Sequence, residues 1–423
     1  MNKTIKVFHP TSEVEGTISL EGSKSIANRV LIIQALCRQP FSVENLPQCD
    51  DTLVMLESLK DRNKTHHHVK LAGTAGRFLS AYYATRKGTQ IIDADEGLKN
   101  RPVLPLINVL KEIGCDIQSV KGDDRFPFIF GSFEKQQSSE VFLNENITSQ
   151  FVSALLMTAP DLPEGLTIHL PENQVSAPYI QMTISVMSYF GVTVSQKDNV
   201  LTVLPQHYQG KDIFIEGDWS SASYYFGIAA LSQKARLKLH GLSANSWQGD
   251  ASIMDVAHVF GLDVFFENNT LIIEKNPEMK EKRSFDYDFK TTPDLFQTLC
   301  ITAAGCGKQG LFTGLQTLPY KETDRIKAIQ EILAKCSVFL SAMPSKFSKK
   351  TGETVYFLDG TYQHPDENVV FDTYHDHRMA MSIAMLATKG VIHINDPFVV
   401  NKSYPTFWKD LQVIGFEVEE ISD

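Results

Sequence analysis

The sequence predicts a mixed α/β protein of two domains, assembled from repeated helix-and-strand units. Three observations predict it. The chain has 423 residues, more than one hydrophobic core ordinarily serves. A small polar cluster opens an apolar, helix-like segment at six places: GSKSIANRVLIIQAL from Gly22, GTAGRFLSAYYA from Gly73, TSQFVSALLMTA from Thr148, SSASYYFGIAAL from Ser220, TPDLFQTLCITAA from Thr292 and HDHRMAMSIAMLA from His375. A second helix that stops at a glycine and runs into alternating residues recurs between them, in LINVLKEIGCDIQSV, TISVMSYFGVTVSQ and MDVAHVFGLDVFFE.

The six openings carry Ser, Thr or Asp, which suit helix starts. The segments behind them are rich in Ala, Leu and Met and poor in charge, which predicts helices buried on most sides. Their spacings of roughly 50, 75, 72, 72 and 83 residues mark a duplicated element. Gly114, Gly191 and Gly261 fit helix C-caps that need a left-handed backbone, and the alternating residues after them read as strands. The first spacing is short. A strand-and-turn segment is missing between Lys60 and Gly73, where DRNKTHHHVK stands. His66, His67 and His68 read as a surface turn or bridging strand and not as a metal site, because no acidic or cysteine ligand lies at useful spacing.

Hydrophobic residues make up 43% of the chain and charged residues 21%, the balance of a globular protein. No apolar run reaches bilayer length, and the polar MNKTIKVFHP start lacks a signal-peptide core; a cytoplasmic chain is expected. The cysteines at 37, 49, 115, 300, 306 and 336 show no CxxC or finger spacing, so reduced structural thiols are expected. A formal net charge of −10 argues against a nucleic-acid partner. It does not exclude small anions, which a locally basic cleft can hold.

Basic residues do gather at loop-to-helix junctions. In GSKSIANR, Lys24 stands at a helix start whose free N–H groups already favour an anion. Arg29 follows Ser25 by one turn, on the same face. The segment reads as a phosphate or carboxylate site, or as a capped helix with solvated cations. In LAGTAGRFL, small residues around Thr74 allow close approach of a ligand to Gly73 and Thr74, and Arg77 reads equally as a ligand contact or a structural arginine. In NRPVLPL, Arg101 precedes a proline at a helix start. Thr148, Ser149 and Gln150 present two hydroxyls and an amide, for an anion or for capping. SAPY adds Ser176 and Tyr179. In YKETDR, Thr323 or Asp324 caps the next helix and gathers Lys321, Glu322 and Arg325 about its start. His377 and Arg378 precede a nearly chargeless helix, and Lys402 lies at another turn. Asp294 opens an apolar helix as a cap or, paired with Glu322, as a proton-handling carboxylate.

Taken in order along nearly the whole chain, GSKSIANR, GTAGR, TSQF, KETDR and DHRMAM resemble the EPSP synthase (3-phosphoshikimate 1-carboxyvinyltransferase) family of enolpyruvyl transferases. The resemblance implies an inside-out α/β barrel-like fold of six βαβαββ units, with helices inside and sheets around them. One discontinuous domain would hold residues 1–22 and 218–423, the other 23–217, with the active site in the cleft between them. It implies transfer of the carboxyvinyl group of phosphoenolpyruvate to the 5-hydroxyl of shikimate 3-phosphate, releasing phosphate, on the route to aromatic amino acids. No metal or organic cofactor is implied, and a monomer is expected. Lys24, Ser25, Arg29, Thr148, Ser149, Gln150, Ser176, Tyr179, Asp294 and Lys321 would hold shikimate 3-phosphate. Lys24, Gly73, Thr74, Arg101, Gln150, Arg325, His377, Arg378 and Lys402 would hold phosphoenolpyruvate. Asp294, Glu322 and Lys24 would be catalytic.

The chain departs from the family pattern at Leu71, where Asn is common, at Gly76, where Met is usual, and at Gly97, where an additional Arg is frequent. Thr317 and Pro319 differ before KETDR. The sister transferase acting on UDP-N-acetylglucosamine carries a loop Cys before its Arg-Pro stretch; none lies between Asp93 and Arg101 here.

Overall fold

The computed structural model describes residues 3–61, 63–144, 148–171, 177–279, 283–344, 346 and 353–421. The chain forms two compact units, residues 1–21 with 216–423, and residues 22–215. It opens in the first unit with β1 (Thr4–Phe8) and β2 (Glu13–Ser19), then crosses to build the second.

The second unit begins with α1 (Lys24–Leu36), β3 (Val43–Glu44) and α2 (Asp50–Lys60). A full set follows: β4 (His66–His68), α3 (Gly73–Ala84), β5 (Gln90–Asp93), the short α4 (Glu96–Lys99), α5 (Leu104–Ile113), β6 (Ile117–Ser119) and β7 (Phe128–Phe130). The next comprises β8 (Glu140–Phe142), α6 (Ser149–Thr158), β9 (Leu166–His169), α7 (Ala177–Tyr189), β10 (Ser195–Lys197) and β11 (Val200–Val203). β12 (Ile213–Phe214) precedes the return crossing.

Back in the first unit run α8 (Trp219–Leu231), β13 (Lys234–His240), α9 (Ile253–Ala257), β14 (Leu262–Glu267) and β15 (Thr270–Lys275). Next come β16 (Tyr287–Asp288), α10 (Phe296–Gly305), β17 (Gly310–Thr313), α11 (Arg325–Ala334), β18 (Val338–Ala342) and β19 (Tyr356–Gly360). The last set is β20 (Val370–Phe371), α12 (His377–Ala384), β21 (Ile392–Asn395), α13 (Phe407–Val413) and β22 (Glu417–Ile421).

Among the described residues, five sheets share one pattern, a parallel pair followed by two antiparallel neighbours: β4-β5-β7-β6, β8-β9-β11-β10, β2-β13-β15-β14, β16-β17-β19-β18 and β20-β21-β1-β22. The sixth holds only the parallel pair β3 and β12. The first repeat has therefore lost its closing hairpin. His66–His68, inside the replacement segment, instead supply the leading strand of the next repeat, with His67 buried against Gln90. The double crossing follows from an exchange of leading strands: β2 heads the sheet that α8 serves, and β12 heads the sheet that α1 serves.

The six motif helices are the cores. In one unit α1, α3 and α6 pack on one another; in the other α8, α10 and α12 do. Every residue of α10 is buried, and of α8 only Ser220 is not, which explains their lack of charge. The sheets lie outside. In β13, Ala235, Leu237 and Leu239 face inward while Lys234, Arg236, Lys238 and His240 face water, and each buried Leu contributes roughly 2 kcal/mol. Gly114, Gly191 and Gly261 all adopt the positive φ predicted for helix ends.

Candidate active site

In the unit of residues 22–215, three helix starts carry the predicted residues. Lys24 is the first residue of α1, and its Nζ lies 3.2 Å from Asp51 at the start of α2. Ser25 sits beside it. Ser23 occupies the cap position but makes no capping bond, and neither Ala72 before α3 nor Thr148 before α6 makes one. The expected hydroxyl caps are thus absent, and these N-termini keep backbone donors that can face an anion.

Arg29 is turned inward. Its guanidinium donates to Thr183 Oγ1 at 2.7 Å, Ser25 O at 2.7 Å, Ser153 Oγ at 3.1 Å and Tyr179 O at 3.1 Å. Burial lowers its pKa to about 10, opposed by Tyr179. It fixes the backbone at Ser25 and Tyr179.

Gly73 opens α3 beneath two guanidinium groups. A Cβ there would stand 2.7 Å from Arg77 Nη1 and 2.9 Å from Arg101 Nη1, so a methyl could enter only by displacing a guanidinium end. Gln150 Nε2 reaches Thr74 Oγ1 at 3.2 Å, while its Oε1 accepts from Arg77. Thr148 is exposed and Ser149 buried. Ser176 lies outside the described residues. Two of the family departures touch: a Cβ on Gly97 would lie 2.9 Å from Leu71 Cδ2, so the leucine fills space that the glycine leaves. Gly76 backs onto Phe126, Val69 and Leu98 at ordinary contact distance. Nothing in the structure explains Thr317 and Pro319.

In the unit of residues 1–21 and 216–423 the predicted charges form layers. At the base, Asp376, fully buried, holds Arg325 Nε at 2.9 Å and caps α12 through Arg378 N. Arg325, the first residue of α11, also meets Asp294 at 3.0 Å and Glu322 at 2.9 Å. Burial alone would lower its pKa, but Asp376, Glu322 and Asp294 together hold it above the ordinary arginine value. Above that base, Asp294 also meets Arg378 at 3.1 Å and Lys321 at 3.5 Å, while Glu322 meets Lys402 at 3.0 Å. Asp294 lies in the turn Pro293–Leu295 before α10, where its carboxylate joins these ion pairs. Asp324, not Thr323, caps α11. His377 is buried, its Nδ1 3.6 Å from Asp376. Burial pushes the Lys321 ammonium below its usual range, with Asp294 opposing. Arg325, like Arg29, commits most of its N–H donors to protein partners.

Three acids here escaped sequence reasoning. Asp51 follows Asp50 at a helix start and looks like an ordinary first-turn acid. Asp376 sits inside DHRMAM but shows no sign of its reach to Arg325, 51 residues away. Asp250 lies in the short 3-10 turn Gly249–Ser252, accepts from Ser220 Oγ, and is raised to about 7 by burial and by Asp294. Among the described residues no group of His, Cys, Asp and Glu is placed to hold a metal, and no helix is long and apolar enough to cross a membrane.

The profile of the EPSP synthase (3-phosphoshikimate 1-carboxyvinyltransferase) family matches residues 8–69 and 61–411. A 3-phosphoshikimate 1-carboxyvinyltransferase of Bacteroides fragilis (strain YCH46) is 38% identical over 410 residues, covering 96% of this chain and 97% of that protein. One from Neisseria meningitidis serogroup C is 30% identical over 93% of this chain and 94% of that one. Among solved structures, EPSP synthase from Acinetobacter baumannii superposes with a TM-score of 0.79 at 20% identity, covering 99% of this chain and 100% of that one. The enolpyruvyl transferase NikO from Streptomyces tendae gives 0.76 at 13%, with both chains fully covered. These structures share the two-domain α/β fold. By profile and by sequence identity over almost its full length, the chain belongs to the EPSP synthase family.

Proposed function

We propose that this chain transfers the carboxyvinyl group of phosphoenolpyruvate to the 5-hydroxyl of shikimate 3-phosphate and releases phosphate. The observation that carries the reading is the pair of partly exposed carboxylates, Asp294 and Glu322, each held by Arg325 and each faced by a further cation. Phosphoenolpyruvate is a poor electrophile at C2 until C3 takes a proton. Glu322 delivers that proton, and Asp294 accepts the proton of the attacking hydroxyl. The new C–O bond at C2 gives a tetrahedral intermediate. Glu322, now a carboxylate, then takes a proton back from C3 and restores the enol ether as the C2–O bond to phosphate breaks.

The cations supply the electrostatic part. Lys24, Arg101, Arg378 and Lys402 stabilise the carboxylate and the departing phosphate. Arg325 positions both acids, and His377 stands behind them. Ser25, Thr148, Ser149, Gln150, Ser176, Tyr179 and Lys321 hold shikimate 3-phosphate, with Arg29 bracing two of their backbones.

Phosphate release from purified protein tests this. It is expected only with both substrates present, and Glu322→Gln is expected to slow turnover by about 10²-fold or more. Release no faster than background with both substrates would sink the activity. Full rate in Glu322→Gln would sink the proton-transfer assignment.

A further inference from the structure

The geometry points to Arg77 as a positioning residue that sets three phosphoenolpyruvate contacts at once and dictates which end of the Gln150 amide faces the substrate. This rests on the proposed site. The guanidinium carbon of Arg77 lies 5.5 Å from the centre of the Phe151 ring, and the residue is almost fully buried. Its Nη1 donates to Gly73 O at 3.1 Å and to Gln150 Oε1 at 3.0 Å, and its Nη2 to Pro102 O at 2.8 Å. One planar group thereby ties together the start of α3, the start of α6 and the turn that follows Arg101. Each of these segments carries a proposed phosphoenolpyruvate contact: Gly73 and Thr74, Gln150, and Arg101.

The effect on Gln150 follows from donor chemistry. Arginine offers only donors, so the atom facing it must be the amide oxygen. The amide nitrogen is then turned away, where it reaches Thr74 Oγ1 at 3.2 Å with one proton and keeps the other for an anion. Without Arg77 the amide is free to rotate and present its oxygen to a carboxylate or phosphate, which is repulsive. Lysine keeps the charge but not the fork, and cannot serve acceptors on three segments in one plane.

Steady-state kinetics of Arg77→Lys, Gln150→Met, their double variant, Arg101→Ala and Gln150→Glu test this, with melting temperature as a control. Arg77→Lys is expected to raise KM for phosphoenolpyruvate about tenfold or more, the scale of one lost charged hydrogen bond, while kcat changes far less. The double variant is expected to be no worse than the worse single one, because both remove the same oriented amide. Unchanged KM in Arg77→Lys, or losses that simply add, would overturn the inference. Should Arg77→Lys fail to fold, Gln150→Glu decides. It replaces the outward amide nitrogen by oxygen beside an intact Arg77, and must bind phosphoenolpyruvate worse than Gln150→Met; parity with the parent protein overturns the inference. If Gln150→Met and Arg101→Ala both leave KM untouched, the proposed site itself fails, which is a different result.

Discussion

The two units are built from the same repeat but differ in how many of their helix starts are capped and in what surrounds their buried arginine. In residues 22–215, α1, α3 and α6 begin without side-chain caps, and the buried Arg29 is held by hydroxyls and carbonyls alone. In the other unit, Asp218 and Asp376 cap α8 and α12 and Asp324 caps α11, while α10 begins without a side-chain cap, and Arg325 is surrounded by three carboxylates. The first arrangement keeps positive potential for an incoming anion. The second neutralises its own cations and so holds two acids in fixed positions. Under the proposed function, the duplicated scaffold divides the work: one copy receives charge, the other moves protons.

Removing the two buried arginines breaks or sharpens that contrast most directly. Arg325→Met leaves the fully buried Asp376 without its ion-pair partner and should cost about 3–5 kcal/mol. Arg29→Met removes hydrogen bonds to neutral groups and also the burden of a buried charge, so about 1–3 kcal/mol is expected. Chemical denaturation of both variants measures the gap. Equal losses would mean that the neutral cage around Arg29 is as strained by its removal as the carboxylate cage, and the contrast would fall.

Much of this was legible beforehand, for a physical reason. The six core helices announce themselves because helices buried on most sides carry little charge, and polar openings such as GSKS, TSQ and DHR stand out against them. The glycine ends at 114, 191 and 261 were readable because the left-handed backbone leaves few alternatives to glycine. The lost hairpin was visible only as a short spacing; that His66–His68 lead the following sheet depended on pairing with β5, which no local pattern encodes. The inward turn of Arg29 depends on Thr183, 154 residues away, and the buried partner of Arg325, Asp376, lies 51 residues away. Capping was misjudged at Ser23 and Thr148 because residue type predicts a cap but not which donors the side chain meets.

Gly73→Ala tests the receiving unit at its narrowest point. The new methyl would sit within 3 Å of both Arg77 Nη1 and Arg101 Nη1, and side-chain ends of this kind yield by moving. The fold should survive, and Arg101 should shift. KM for phosphoenolpyruvate is expected to rise about tenfold, with a much smaller change for shikimate 3-phosphate. Equal changes for both substrates would show that the region acts on the site as a whole and not on one anion.

The smallest effect belongs to Asp250, a buried acid of the unit that holds Asp294 and Glu322, raised to about 7. Burial is the main cause, with Asp294 adding to it and Arg378 opposing. An unfolded aspartate releases its proton near pH 4, so between about pH 4 and 7 the folded state binds the extra proton. Stability therefore falls as pH rises through that window. Asp250→Asn keeps an acceptor for Ser220 Oγ and removes the titration. The drop in melting temperature between about pH 5 and 8 should shrink in the variant, which should gain most on the parent above pH 7. An unchanged drop would mean that Asp250 ionises at an ordinary carboxylate value despite its burial. The negative charge of Asp294 would then not reach it, and the picture of acids fixed by mutual electrostatics would hold only for the residues that Arg325 touches.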